Sequence, residues 1–440
     1  MFAVLNLMKR AKNRLLGRLT RIVLGVMPSA HRNKVVERSL WTGAPILNMA
    51  VNARAERLLG VKADSLVYNT YFITDQFTYN LSRASRVPLL RVLVPYLTLI
   101  WACRRYQRFH FYCDAGMLTP GAAFQFNPEE LRLLQDLGKQ VFFWTYGADV
   151  RTRRTTLSLG EPNCCTQCPA PGKACICDEH DARVNQARIR ATATAVFAMG
   201  DMTEYTPGSR NDLFFWPVDL GADGGRKYAP HYPPLDGDRP IRIVHAPNHR
   251  HFKGTDHLLD AVRRLQAEGH AVELTLVERV PNDQALEMYR SADVVFDQCL
   301  IGFHGYFAVE AMAMGKPVVC YIRKPDDYLL APDECPIQSA RADQVEAVLR
   351  ELIEDRHRLH ELGVQGRRYV EKYFTLEAFA ARLRRAYDEL LPREGSCDSP
   401  TLAGDRPTTA GDRPAAGSIR TSTKRRSSAS SNLNSSRAVP

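Results

Sequence analysis

The sequence predicts an α/β protein with two parallel-sheet lobes in series, and three observations carry that prediction. From about residue 65, apolar β-branched runs alternate with amphipathic stretches of helical period, and several of the runs end in a glycine turn. A polar stretch rich in proline and glycine, residues 221–240, interrupts the alternation, which restarts at Ile241. The 440 residues are also enough for two domains of ordinary size. Repeated β-turn-α units favour parallel sheets covered on both faces. Two such sheets in series form a cleft at the carboxyl ends of their strands, where open parallel sheets bind ligands.

The elements follow in order. "RFHFYCDAG", residues 108–116, reads as a strand running into a glycine turn. "NPEELRLLQDLG" reads as a helix, with Asn127 as N-cap, Pro128 at its first position and Gly138 as its stop. "KQVFFWTYGAD", residues 139–149, is the next strand and glycine turn. A helix "DARVNQARIRATA", a strand "TAVFAMG" and a short strand "DLFFWPVDL" complete the first lobe, predicted over 41–220. The second lobe, predicted over 241–392, opens with the strand "IRIVHAPN". The helix "TDHLLDAVRRLQAEG" follows, capped by Thr255 and stopped by Gly269, with Leu258, Leu259, Val262 and Leu265 on one face. Strands "AVELTLVE", "DVVFDQ" and "KPVVCYI" alternate with helices, and long helices over 343–362 and 375–391 close the lobe.

Charge sits at the chain ends. The formal net charge is +11, yet residues 1–34 hold Lys9, Arg10, Lys12, Arg14, Arg18, Arg21, Arg32 and Lys34 without one acid, and residues 393–440 are also net basic. The folded middle is close to neutral, so no nucleic-acid partner is expected. Residues 1–40 read as a basic segment. Within it Leu15, Leu19, Ile22, Val23 and Val26 alternate at helical spacing with Arg14, Arg18 and Arg21. This pattern suits an anionic membrane surface, or equally a helix packed on the domain. "VPLLRVLVPYLTLIWAC", residues 87–103, holds Arg91 and Pro95 and reads as a helix buried in a core, not a membrane span. With no clean secretory h-region, the chain is expected to be cytoplasmic, with possible peripheral attachment to the inner face of the cell membrane. The repetitive, low-complexity 393–440 tail is expected to be disordered.

The chemistry concentrates in "GFHGYFAVEAMAMGKPVV", residues 302–319. Here a strand gives way to a turn with Gly302 and Gly305, then to a helix from Tyr306 ended by Gly315 and Pro317. Free amides at that helix start, around Gly305, Tyr306 and Phe307, suit a diphosphate. A buried carboxylate is costly unless paired, and Glu310, one turn in, can accept hydrogen bonds from vicinal hydroxyls such as those of a ribose. The alternative is a glutamate on an ordinary solvated helix. "HAPNHRHFKGTDHLL" places Arg250 and Lys253, before Gly254, in the turn after the first strand of the same lobe and at the same sheet edge.

These residues resemble the donor-binding domain of retaining glycosyltransferases of the GT-B fold, the group-1 or family-four class. "HRHFKG" resembles the family's basic loop ending in Lys-Gly, and "EAMAMGKPVV" matches the segment that follows its Glu-x7-Glu element. "EMYRSADVVFDQ" and "GRRYVEKYFTLE" resemble the flanking elements. "LQDLGKQVFFWTYGADVR" is similar to the stretch in which a Gly-x-Asp turn faces the acceptor. The likeness covers about 150 residues well and the first half thinly. It departs at Gly302, where the family's first glutamate would fall, at Asn248, where its loop arginine would fall with Arg250 two residues on, and at Tyr146 in place of a histidine.

The resemblance implies two Rossmann-like domains and transfer of a sugar from a nucleotide-diphosphate sugar to a saccharide or lipid-linked acceptor hydroxyl, with retention and without a catalytic cofactor. Asn248, Arg250, Lys253, Gly254, Gly305, Tyr306, Phe307 and Glu310 would hold the donor, His304 would contact the sugar, and Asp149 would act on the acceptor side or cap its turn. A sugar-nucleotide epimerase or hydrolase of the same fold, or a non-catalytic binding protein, are the alternatives. Separately, "CCTQCPAPGKACICDEH" clusters Cys164, Cys165, Cys168, Cys175 and Cys177 before His180. Cys165-x2-Cys168 with Cys175 or Cys177 and His180 could hold a structural zinc in an insertion over 161–180; an unmetallated thiol-rich loop is the alternative.

Overall fold

The computed structural model describes residues 17–25, 37–70, 74–86, 88–112, 115–118, 126–147, 149–171 and 179–391. The expected tail and most of the basic first segment lie outside these residues.

Six parallel strands form the first sheet: β1 (Arg38–Gly43), β2 (Lys62–Val67), β3 (Tyr79–Asn80), β4 (Arg108–Tyr112), β5 (Gln140–Trp144) and β6 (Ala195–Phe197), in the order β3-β2-β1-β4-β5-β6. The second has four: β7 (Ile241–His245), β8 (Val272–Leu276), β9 (Val294–Gln298) and β10 (Val318–Cys320), ordered β10-β9-β7-β8. In each sheet the strand order reverses beside the first strand, between β1 and β4 and between β7 and β9. That reversal opens the crevice where such sheets bind ligands. β4 and β5 are buried along nearly their whole length because both faces are covered, which is the reason residues 141–144 of β5 read as an apolar run, while β4 buries Arg108 and His110 as well.

Local signals place the helices. Asn127 accepts from the Glu129 amide at 3.0 Å, and Thr375 from the Ala378 amide at 3.1 Å, starting the Pro128–Asp136 and Leu376–Leu390 helices. Thr255 differs from expectation. Its hydroxyl meets His245 Nε2 at 2.8 Å instead of capping, and left-handed Gly254 is the cap. The single helix expected over 343–362 is two, Val345–Glu354 and Arg356–Tyr373, because Asp355 breaks the first and caps the second at the Arg358 amide.

Three further expectations are corrected. The segment 212–220 is not a strand. Its carbonyls at Leu213 and Phe214 are taken by the buried Arg382 guanidinium, at 2.7 and 3.2 Å, and Phe214 adopts a φ of 43°. The lobe boundaries also shift: β1 begins at Arg38, inside the segment given to 1–40, and the Leu376–Leu390 helix packs on the first lobe's Leu47–Arg57 helix. The helix Pro88–Arg105 is buried on one side only. Tyr96, Leu99, Ala102 and Cys103 face the core, while Val92, Leu93 and Leu97 are exposed. No helix among the described residues is long and apolar enough to cross a membrane.

Candidate functional site

β7 and β9 are neighbours, so the loops leaving them emerge side by side. The β7 loop carries the short Arg250–Lys253 helical turn, and the β9 loop leads into the Tyr306–Ala313 helix. Gly254 is required where the first loop closes. Its φ is 73°, and a Cβ there would lie 2.3 Å from Cys299 Sγ.

At the end of the first loop, just before Gly254, stands Lys253. Its Nζ lies 2.6 Å from Asp297 Oδ1 at the end of β9, and the other oxygen of Asp297 accepts the Gly305 N–H. A Cβ on Gly305 would sit 3.2 Å from that Nζ, so the cation and the start of the helix are adjacent. Burial alone would raise the Asp297 pKa, but Lys253 and the Gly305 amide more than offset this and hold it below its ordinary value. Arg250 is placed differently. It pairs with Glu278 at 2.6 and 2.9 Å on the exposed side of the loop, so one cation, not two, meets the helix tip. Asn248 is exposed beside it.

Glu310, one turn into the helix, is 4% exposed. One of its oxygens accepts from Tyr228 Oη at 3.0 Å and from Asn282 Nδ2 at 3.2 Å. Burial pushes its pKa up to about 7, against the lowering effect of these two donors and of Lys227. Asn282 Oδ1 is buried with no hydrogen-bond partner. Neither Tyr228 nor Asn282 belonged to the expected site. Tyr228 comes from the segment read as a plain linker, and the sole signal for Asn282 is its place at a helix start.

The remaining expected residues are also placed. His304 is buried, with its ring beside Phe303 and Trp216 at centroid distances of 4.2 and 5.7 Å, and its Nδ1 is 3.2 Å from the Gly305 carbonyl. Burial lowers its pKa. Tyr306 Oη donates to the Pro217 carbonyl at 3.0 Å, and the Phe303 ring lies where a Cβ on Gly200 would sit. Both contacts tie this loop to the first lobe. Phe307 packs on Tyr289, with centroids 4.5 Å apart. Gly302 has a φ of 93°, and a Cβ there would be 2.8 Å from the Arg323 guanidinium.

On the first lobe, both carboxylate oxygens of Asp149 accept from its own turn, from Tyr146 N–H and Gly147 N–H, the shortest at 2.7 Å. Amides left open at the end of β5 draw the group into a cap, one of the two roles expected for it. Nearby Arg151 makes a two-pronged pair with the buried Asp201, both bonds 2.8 Å. Cys164 and Cys165 pack in one apolar cluster with Leu258, Cys299 and Leu300 of the second lobe. Among the described residues no three His, Cys, Asp or Glu side chains form a metal site; Cys175 and Cys177 lie outside them.

No family model matches the chain. An α-(1→4)-mannosyltransferase of Mycolicibacterium hassiacum, described as acting on MMP, is 30% identical over 174 residues, which cover 33% of this chain and 42% of that enzyme. The chain thus spans less than half the length of the curated relative it matches. Among solved structures, HepE of Anabaena, captured with UDP-glucose, aligns over 80% of this chain and 99% of its own, with a TM-score of 0.50 and 10% identity. Sucrose-phosphate synthase of Thermosynechococcus elongatus aligns over the same share at 15% identity and a TM-score of 0.49. The two parallel sheets and the HepE alignment show the GT-B fold.

Proposed function

We propose that the chain is a glycosyltransferase that moves a sugar from a nucleoside-diphosphate sugar to a hydroxyl of a saccharide or lipid-linked acceptor. The observation that carries this reading is the juxtaposition of Lys253 with the tip of the Tyr306–Ala313 helix, one turn before the buried Glu310. The helix's first amides have no carbonyl of their own helix to bond, and its dipole favours anions there. Two phosphates on the amides and Lys253 would bring the nucleoside's vicinal hydroxyls toward Glu310, with Asn282 Oδ1 as a further acceptor. As the bond between the sugar and the diphosphate breaks, negative charge grows on the departing phosphate. Lys253 and the amides would stabilise that charge through fixed groups in a largely water-excluded site. The similarity to the mannosyltransferase supports the same chemistry, and the resemblance of the donor lobe favours retention.

Thermal-shift measurements with UDP- and GDP-sugars test this. At least one should raise the melting temperature, and Glu310→Ala should abolish the gain. A chain that responds to none is not this enzyme. Release of free nucleotide without an acceptor would mark a hydrolase instead, and analysis of the product's anomeric carbon decides retention.

Peripheral membrane attachment belongs to the same proposal. Helix 17–25 presents Leu19, Ile22 and Val23 outward, Ile22 at 60% exposure, beside Arg18 and Arg21. Val92, Leu93 and Leu97 add exposed apolar surface on the Pro88–Arg105 helix of the same lobe. Replacing Leu19, Ile22 and Val23 with serine should reduce co-sedimentation with anionic vesicles; unchanged binding contradicts it. A structural zinc on Cys165, Cys168, His180 and Cys175 or Cys177 remains part of the proposal, checked by metal analysis of the purified chain.

A further inference from the structure

Asp297 is an unusual neighbour for a phosphate site. It closes β9 with its side chain fully buried, and it bonds at once to the ammonium of the β7 loop and to the amide that opens the Tyr306–Ala313 helix. One carboxylate therefore ties together the two elements that would hold the diphosphate. Lys253 keeps some exposure, and an ammonium has three N–H donors, of which Asp297 accepts one. The Tyr306 and Phe307 amides also remain beyond reach of any carbonyl in their own helix. Gly305 leaves the gap empty. A Cβ there would stand 3.2 Å from Nζ and 3.3 Å from both Asp297 oxygens.

Two effects of opposite sign compete. A bare carboxylate near a phosphate repels it, the more so where little water screens the pair. A carboxylate that fixes a cation in place removes the entropy of ordering a long flexible side chain when the ligand arrives. Here one oxygen of Asp297 is matched by the ammonium at 2.6 Å and the other is taken by the Gly305 N–H, which favours the second effect.

We propose that Asp297 is a positioning residue for the nucleoside diphosphate, holding the Lys253 ammonium against the helix tip so that both address the same phosphates. This rests on the glycosyltransferase reading, and the test separates the two. UDP and GDP are titrated calorimetrically into the full chain, as wild type, Asp297→Asn, Lys253→Met and the double variant. Asp297→Asn keeps the shape and removes the charge. It should weaken binding about tenfold or more, as should Lys253→Met. Because Asp297 acts through Lys253, adding Asp297→Asn to Lys253→Met should change affinity by less than about twofold. Unchanged or tighter binding by Asp297→Asn overturns the proposal, as do two losses that multiply in the double variant. Failure of the wild type to bind either nucleotide or any nucleotide sugar removes the underlying reading instead. If Asp297→Asn does not fold, Gly305→Ala serves: its methyl crowds Nζ at 3.2 Å and both Asp297 oxygens at 3.3 Å, so the pair must shift by a few tenths of an ångström with both charges kept and φ unstrained. It too should weaken binding about tenfold, and full affinity would overturn the proposal.

Discussion

Two buried glutamates, one in each lobe, show what a carboxylate looks like when the protein uses it for itself and when it leaves it for something else. Glu56, in the first lobe, is fully buried. It accepts from Ser39 Oγ, from Trp41 Nε1 at 2.6 Å and from Tyr387 Oη at 2.8 Å, and has His110 Nε2 at 3.7 Å. The Trp144 indole, a donor only, bonds His110 Nδ1 at 3.1 Å, so the ring proton sits on Nε2, facing this group. Burial would raise the Glu56 pKa, but His110, Ser39 and Trp41 together hold it below the ordinary range. Glu310 is almost as buried, yet two donors reach it on one oxygen and its pKa is pushed up to about 7. A fully satisfied buried charge is a structural joint, here clasping the Leu376–Leu390 helix to the first sheet through Tyr387. A partly satisfied one has an oxygen open to a further donor.

The largest effect expected from this contrast is on stability. Glu56→Ala strands several buried donors and should cost about 3–5 kcal/mol in urea denaturation. Glu310→Gln relieves a poorly solvated carboxyl and should stay within about 1 kcal/mol of wild type. Equal losses would erase the distinction.

Next is pH. The lowered Glu56 value means its contribution is present above the ordinary carboxylate value of 4.5 and is lost as pH falls below it. The raised Glu310 value has the opposite sign. Its contribution is complete below 4.5 and is lost as pH rises toward about 7. In denaturation across pH 4.5–7 Glu310→Gln should therefore lose less stability with rising pH than wild type, while Glu130, whose buried carboxyl is also pushed up to about 7, keeps its share of the slope. Vicinal hydroxyls donating to Glu310 would favour its ionised form, so nucleotide binding near pH 6.5 should release protons, about one-half to one per site, seen as buffer-dependent heats. The smallest effect is at its partner: Tyr228→Phe removes one donor and should weaken nucleotide binding about threefold. No change there would mean that Tyr228 only fills space.

Much of the second lobe was legible because its signals are local. The Gly-flanked turn before Tyr306, the Lys-Gly loop end and the carboxylate one turn into the helix are set by near neighbours in sequence. What failed to read out depended on distant contacts. Arg250 looks equivalent to Lys253 until Glu278, in the loop after β8, claims it. The apolar run 212–220 has strand composition, but its carbonyls answer to Arg382, from a helix far along the chain.

By itself the sequence determined the period of its apolar residues and the positions of its breakers and caps, and through them two parallel sheets, a break near residue 230 and a glycine-led helix carrying one glutamate. Tertiary structure alone decided which buried charges are matched. That Glu56 meets Tyr387, that Lys253 meets Asp297 and that Tyr228 crosses from the linker to Glu310 are pairings between segments 44 to 331 residues apart. Propensity and periodicity act over a few residues, whereas the cost of burying a charge is settled by whichever groups the folded chain brings within about 3 Å.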